Sequence, residues 1–171
     1  MGRVGAWLGR LLNAVPPQEM AGIELEGPCW EVSGHRVDQA EFLRALQGLV
    51  PAGSILFVEG GAHPAPLRRL LEEHAVPPEA KVALGTVWPR STVFHLQVTP
   101  ALLSQLADLA ETCASPELCS HLHVYTGDGV LLQWHDAFSD PFYVSKRIPL
   151  ERLEAFCGVL KTTWKDAEIS R

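Results

Sequence analysis

Four stretches of helical hydrophobic spacing in this chain are each opened by a proline or a capping residue, and short strand-type runs separate them. That punctuation constrains the fold more than any other feature. Asp38 begins DQAE, a capping box with Glu41, ahead of Phe42, Leu43, Leu46 and Leu49. Pro64 and Pro66 suit the first turn of a helix over 64–75 with the stripe Leu67, Leu70 and Leu71. Thr99 and Pro100 open a third helix that buries Leu102, Leu103, Leu106 and Leu109. Pro149 opens the last, with Leu150, Leu153, Phe156, Val159 and Leu160 inward.

Between these lie the strands. Residues 22–38 alternate and carry two turn signals, Gly27-Pro28 and Ser33-Gly34, which predict a β-hairpin or meander. The run Ile55 to Val58 suits a strand buried on both faces. TVFHLQV, over 92–98, alternates strongly, and Phe142 to Ser145 adds a short strand. Residues 81–88 read as extended. The expected fold is α/β, one compact domain with a mixed sheet and helices packed on it. It ends in a strand–helix–hairpin–strand–helix unit with one polar sheet face. The helix between 92–98 and the hairpin implies a parallel crossover. Residues 1–171 form one domain, divided into an amphipathic helix over 1–15, a first half over 22–86 and a second over 92–165. Val4, Trp7, Leu8, Leu11 and Val15 form the stripe of that first helix.

Charge narrows the function classes. The net charge is −6, which opposes electrostatic binding to nucleic acid. Arg68 and Arg69 are answered by Glu72 and Glu73 at helical spacing. No apolar run reaches the length of a membrane span. Arg10 interrupts the N-terminal apolar stretch, as a secretion signal would not allow, and Ala6 breaks a myristoylation motif at Gly2. The four cysteines include no CxxC pair, so free thiols and a cytoplasmic location are expected.

The most informative stretch is SHLHVYTGDGVLLQWHD, residues 120–136, which holds three of the seven histidines. Register decides which face they share. A two-residue turn mixes apolar and polar residues on both faces. A three-residue loop, Gly127-Asp128-Gly129, with Gly129 in a left-handed conformation, separates them. Leu122, Val124, Val130, Leu132 and Trp134 then form one face, and His121, His123, Tyr125, Gln133 and His135 the other, with Leu131. His95 and Gln97 of the strand over 92–98 join that second face.

Such a face carries no permanent charge but many hydrogen-bonding rings and amides, which suits partial burial. Either the chain covers it, through its first helix or residues 81–88, or it meets a partner. The leading expectation is a non-catalytic protein-interaction or ligand-binding module with an inhibitor, immunity-like or assembly-partner role. The binding face is His95, Gln97, His121, His123, Tyr125, Gln133 and His135, and the acidic chain suits a basic protein partner. The alternative is a small metal-dependent enzyme, hydrolytic, with zinc held by His121, His123 and His135, and Cys119 as an alternative thiolate ligand. A secondary candidate is VEGGAHP, where Glu59 ends a buried strand and His63 starts a helix. His135 and Asp136 point to opposite faces of a strand, so no serine triad with Ser139 is expected.

Overall fold

The all-apolar run Ile55–Val58 is explained by its place: the strand Ile55–Glu59 lies inside a seven-stranded sheet, with a neighbour on each side and side chains buried on both faces. The structure, a computed structural model, describes residues 24–34, 37–79, 91–139 and 141–169. The expected helix over 1–15 and the extended segment over 81–88 lie outside these residues.

The strands are β1 (Gly27–Ser33), β2 (Ile55–Glu59), β3 (Val93–Gln97), β4 (His121–Thr126), β5 (Gly129–Trp134), β6 (Phe142–Ser145) and β7 (Thr163–Ile169). The helices are α1 (Gln39–Leu49), α2 (Ala65–Glu73), α3 (Pro100–Ala110), α4 (Ser115–Leu118) and α5 (Leu150–Leu160). Sheet order is β3-β2-β4-β5-β6-β1-β7. The α/β class and the packing of helices on one sheet are as expected. Every neighbouring pair is antiparallel, however, so the sheet is not mixed in its ladders. β3 and β4 do run in the same direction, but β2 inserts between them and pairs antiparallel with both.

The caps act as the sequence predicts. Asp38 accepts from Glu41 N–H at 2.8 Å, and Thr99 Oγ1 from Leu102 N–H at 3.2 Å. Leucines of α1, α2 and α3 share one core with Leu56, Val58, Leu96, Leu122, Val124, Leu132 and Trp134 of the sheet. In α5 the inward residues are Leu153, Phe156, Cys157 and Leu160. Val159 is 51% exposed and Leu150 38%, since the helical phase that buries Phe156 and Leu160 turns both outward.

One other expectation is corrected. Among the described residues of 22–38 there is a single strand, β1, in place of a hairpin: Gly27-Pro28 starts it, and its partners are the distant β6 and β7. Past residue 165, where the second half was expected to end, the chain continues in β7 to Ile169.

The hairpin register is even where the histidines lie, with Leu122 opposite Trp134 and His123 opposite Gln133. The extra residue is not in the loop. Val124 pairs with Leu132 and Tyr125 with Val130, so Leu131 is the bulge. Val130 and Leu131 therefore exchange the faces expected of them: Val130 packs with Tyr125, Ile55 and Phe57, and Leu131 enters the helix-side core. Gly129 still has a positive φ of 122°, whereas Gly127 does not. Arg147 clamps the loop by donating to the carbonyls of Asp128 (2.8 Å) and Val130 (2.9 Å). Gly129→Ala should cost about 1 kcal/mol in denaturant unfolding, and Gly127→Ala clearly less. Equal losses would contradict this hairpin geometry.

Candidate functional site: a histidine corner beside a covered sheet face

The second sheet face is organised by one cross-strand row. His95 pairs with Phe57, Phe57 with His123, His123 with Gln133, and Gln133 with Tyr143. Alternation places all of them on the side opposite the helices. The Phe57 ring lies between two imidazoles, stacked on His123 at 5.4 Å between centroids and edge-on to His95 at 5.3 Å. The uniform apolar run of β2 hides this role of Phe57, because it gives no hint of which face each residue takes.

Much of this face is covered by the chain itself. Leu25 is buried in a second apolar cluster with Cys29, Ile55, Phe57, Tyr125 and Val130, with Val76 packed against it. Leu25 N–H donates to Gln133 Oε1 at 2.6 Å. Glu79 N–H donates to the Tyr125 hydroxyl at 3.2 Å, and that hydroxyl bonds His95 Nδ1 at 2.8 Å. These covering residues belong to neither segment expected to cover the face, the helix over 1–15 or residues 81–88, both of which lie outside the described residues. Gln133, Tyr125 and His123, which is 4% exposed, are thus interior groups, while Gln97 lies exposed.

The face opens at one corner. His135 packs edge-on against both His123 (5.0 Å) and His121 (5.3 Å), so the three rings expected to converge do so. His135 is exposed and His121 half-buried. Glu59 joins them, because the β2–β4 register sets it opposite His121. Its presumed companion His63 does not. His63 Nε2 donates to Leu118 O at 3.0 Å, and its ring packs on Phe94 of the helix side. The glycine turn between them follows the same logic: Gly61 has φ 101°, and a Cβ there would stand 3.0 Å from Leu118 O. Cys119 is also separate. It lies in the helix-side core, and burial pushes its thiol up to about 12.

Protonation follows from burial and from hydrogen bonding. Burial lowers His123 to about 3, with smaller contributions from His135 and His121. Burial, then His121, lowers His135, against Asp136, Glu24 and Glu59, which favour its charged form. Burial also lowers His95 and His63. Trp134 N–H donates to His123 Nδ1 at 3.3 Å, and Asp136 N–H to His121 Nδ1 at 3.2 Å. An accepting Nδ1 carries no proton, so a neutral ring so held carries its proton on Nε2. A metal would have to approach Nε2, displacing that proton, or break these backbone bonds to reach Nδ1. Among the described residues no group of three His, Cys, Asp or Glu side chains is arranged to hold a metal ion.

A feature without a sequence signal is the turn that carries His135. Asp136 and Phe138 both have positive φ, 48° and 67°, rare for non-glycine residues and most unusual for a bulky one. The turn is held by Ala137 N–H to Ser120 O at 2.8 Å, by Trp134 Nε1 to Ser139 O at 2.7 Å, and by Ser139 Oγ to Asp136 O. No helix among the described residues is long and apolar enough to cross a membrane. Comparison with protein-family models, with curated proteins and with solved structures found no match.

Proposed function

We propose that this protein is a non-catalytic protein-interaction or ligand-binding module, with an inhibitor, immunity-like or assembly-partner role, whose contact surface is the histidine corner: His121, His135 and Glu59. The observation that carries this reading is the strained turn. Left-handed non-glycine residues cost about 1–3 kcal/mol each and persist where surrounding structure enforces them, commonly at functional sites. Here the strain presents His135 outward against His121 while His123 supports it from beneath. His123 is a poor general base, since its Nδ1 lone pair is occupied and its ring stays neutral to about pH 3. The net charge of −6 favours fast encounter with a basic protein partner.

The competing reading is a zinc-dependent hydrolase built on the same three rings, and its one support is that they adjoin, at 5.0 and 5.3 Å between centroids, without being arranged as a ligand set. One set of measurements separates the two. His121→Ala combined with His135→Ala should leave Tm within about 2 °C of wild type and abolish co-purification of the partner from the native host. Gently purified wild-type protein should show no Tm change when a chelator is added at neutral pH. Near-stoichiometric metal, a chelator-induced fall in Tm and loss of that response in His121→Ala would overturn the proposal in favour of the enzyme.

A further inference from the structure

The two edges of the sheet differ. At the β3 edge, Ala75 forms a bridge to Leu96 and Val76 N–H donates to His95 O, so the residues that leave α2 cover part of that strand. At the other edge, β7 has β1 as its one strand neighbour among the described residues. Its seven residues contain no proline or bulge to blunt the edge, though they include the charged residues Lys165, Asp166 and Glu168. Its edge lysine is engaged within the sheet, since Lys165 pairs with Glu31 at 2.9 Å.

Alternation sorts the side chains of β7. Ala167 and Ile169 pack on the second-face cluster. Trp164 packs on the helix side, edge-on to Trp30 at 6.4 Å, and Asp166 and Glu168 share its row. Asp166 is paired with Lys146, and Glu168 is exposed. The two-fold registers that would overlap most of β7 with a second copy fail on charge, and those centred on Thr163 or Trp164 pair three residues of the strand or fewer. A two-fold antiparallel pairing centred on Lys165, Asp166 or Glu168 sets like charges directly opposite, and one centred on Ala167 sets Asp166 against Glu168.

We infer that β7 is a strand-addition site for an extended segment of a different protein, one that carries a Lys or Arg and an apolar side chain four residues apart on one face. The basic residue lies opposite Glu168 and the apolar one opposite Trp164. Backbone hydrogen bonds supply the affinity and these two side chains the selectivity. β6 and β1 separate this edge from β5, so the site is distinct from the histidine corner and does not depend on it.

The test uses two end-capped peptides on the full chain, Thr-Lys-Thr-Val-Thr-Leu-Thr and the same sequence with Glu in place of Lys. Binding is followed by titration and by amide hydrogen exchange. The Lys peptide should bind roughly threefold to tenfold tighter than the Glu peptide. New amide protection should appear within Thr163–Ile169. Glu168→Lys, a surface change that leaves the fold intact, should reverse the preference. Equal binding of both peptides, no binding, protection arising elsewhere, or a preference that survives Glu168→Lys would each overturn the inference. So would a wild-type dimer in sedimentation whose protected amides map to β7.

Discussion

Lowering the pH from 7 to 4 should destabilise the wild-type protein, and His123 alone should account for about 3 kcal/mol of the loss. Its ring is buried, stacked on Phe57, and lowered to about 3. A base with a depressed folded pKa binds its proton more readily in the unfolded chain. Between the ordinary histidine value of about 6.5 and the folded value, the unfolded state therefore holds more protons, and stability falls as the pH falls. The contribution is fully present above about pH 6.5 and declines by up to about 1.4 kcal/mol per pH unit below it. Protonation also removes the lone pair that accepts from Trp134 N–H, leaving two donors facing each other. His63, His95 and His135 are lowered too and add to the effect in the same direction.

His123→Phe isolates the term. Phenylalanine keeps a ring against Phe57 but cannot titrate. It should cost about 1–3 kcal/mol at pH 7, because Trp134 N–H loses its buried acceptor. Its stability should then fall less steeply between pH 6.5 and 4, by as much as one proton's worth. Urea unfolding of both proteins at pH 7, 5.5 and 4 measures this, and carboxylate effects cancel in the difference. Parallel pH dependences would show that His123 is not a buried neutral ring.

Phe42→Ala should produce the largest loss from a single core change, about 3–5 kcal/mol. Phe42 is fully buried where α1 meets the sheet and α5. Its ring lies 4.9 Å from Trp134, 5.6 Å from Phe156, 5.9 Å from Phe142 and 6.0 Å from Phe138. Removing it leaves a cavity bounded by rings too rigid to close over it. The effect should reach the candidate site, since Trp134 is hydrogen-bonded to Ser139 and packs on Phe138 within the strained turn. Amides of 135–139 should exchange faster in the variant than those of β2. A loss below about 2 kcal/mol, with the turn unaffected, would mean that the aromatic cluster repacks and that the turn is held by its own hydrogen bonds.

Local chemistry made a large part of this fold legible. Asp38, Thr99 and the prolines at 64, 66, 100 and 149 mark helix starts because capping and proline geometry act within one turn. The alternation of residues 92–98 and 120–135 identifies half-buried strands, and parity alone brings His121, His123 and His135 together. β7 escaped notice because an edge strand with one partner tolerates polar residues on both faces, so TWKDAEI shows little hydrophobic contrast. The turn signals at Gly27-Pro28 and Ser33-Gly34 misled for a related reason: a glycine–proline step can begin a strand as readily as reverse one, and only the strand's distant partners decide.

What the sequence by itself determined was therefore what depends on neighbours along the chain: where helices start, the faces of the clearly alternating strand residues, and the grouping of the three histidines. Tertiary structure decided the rest. It inserted β2 between β3 and β4, which made the ladders antiparallel and brought Glu59 beside His121 while His63 went elsewhere. It placed the bulge at Leu131, which turns Val130 into the cluster of Leu25, Ile55, Phe57 and Tyr125. It also folded Leu25 and Glu79 onto the polar face, where they hydrogen-bond Gln133 and Tyr125 and help turn His123, Tyr125 and Gln133 into interior groups. Burial is a property of what comes to lie opposite a residue, and pairing between distant segments sets it, which a periodicity of two or 3.6 residues does not encode.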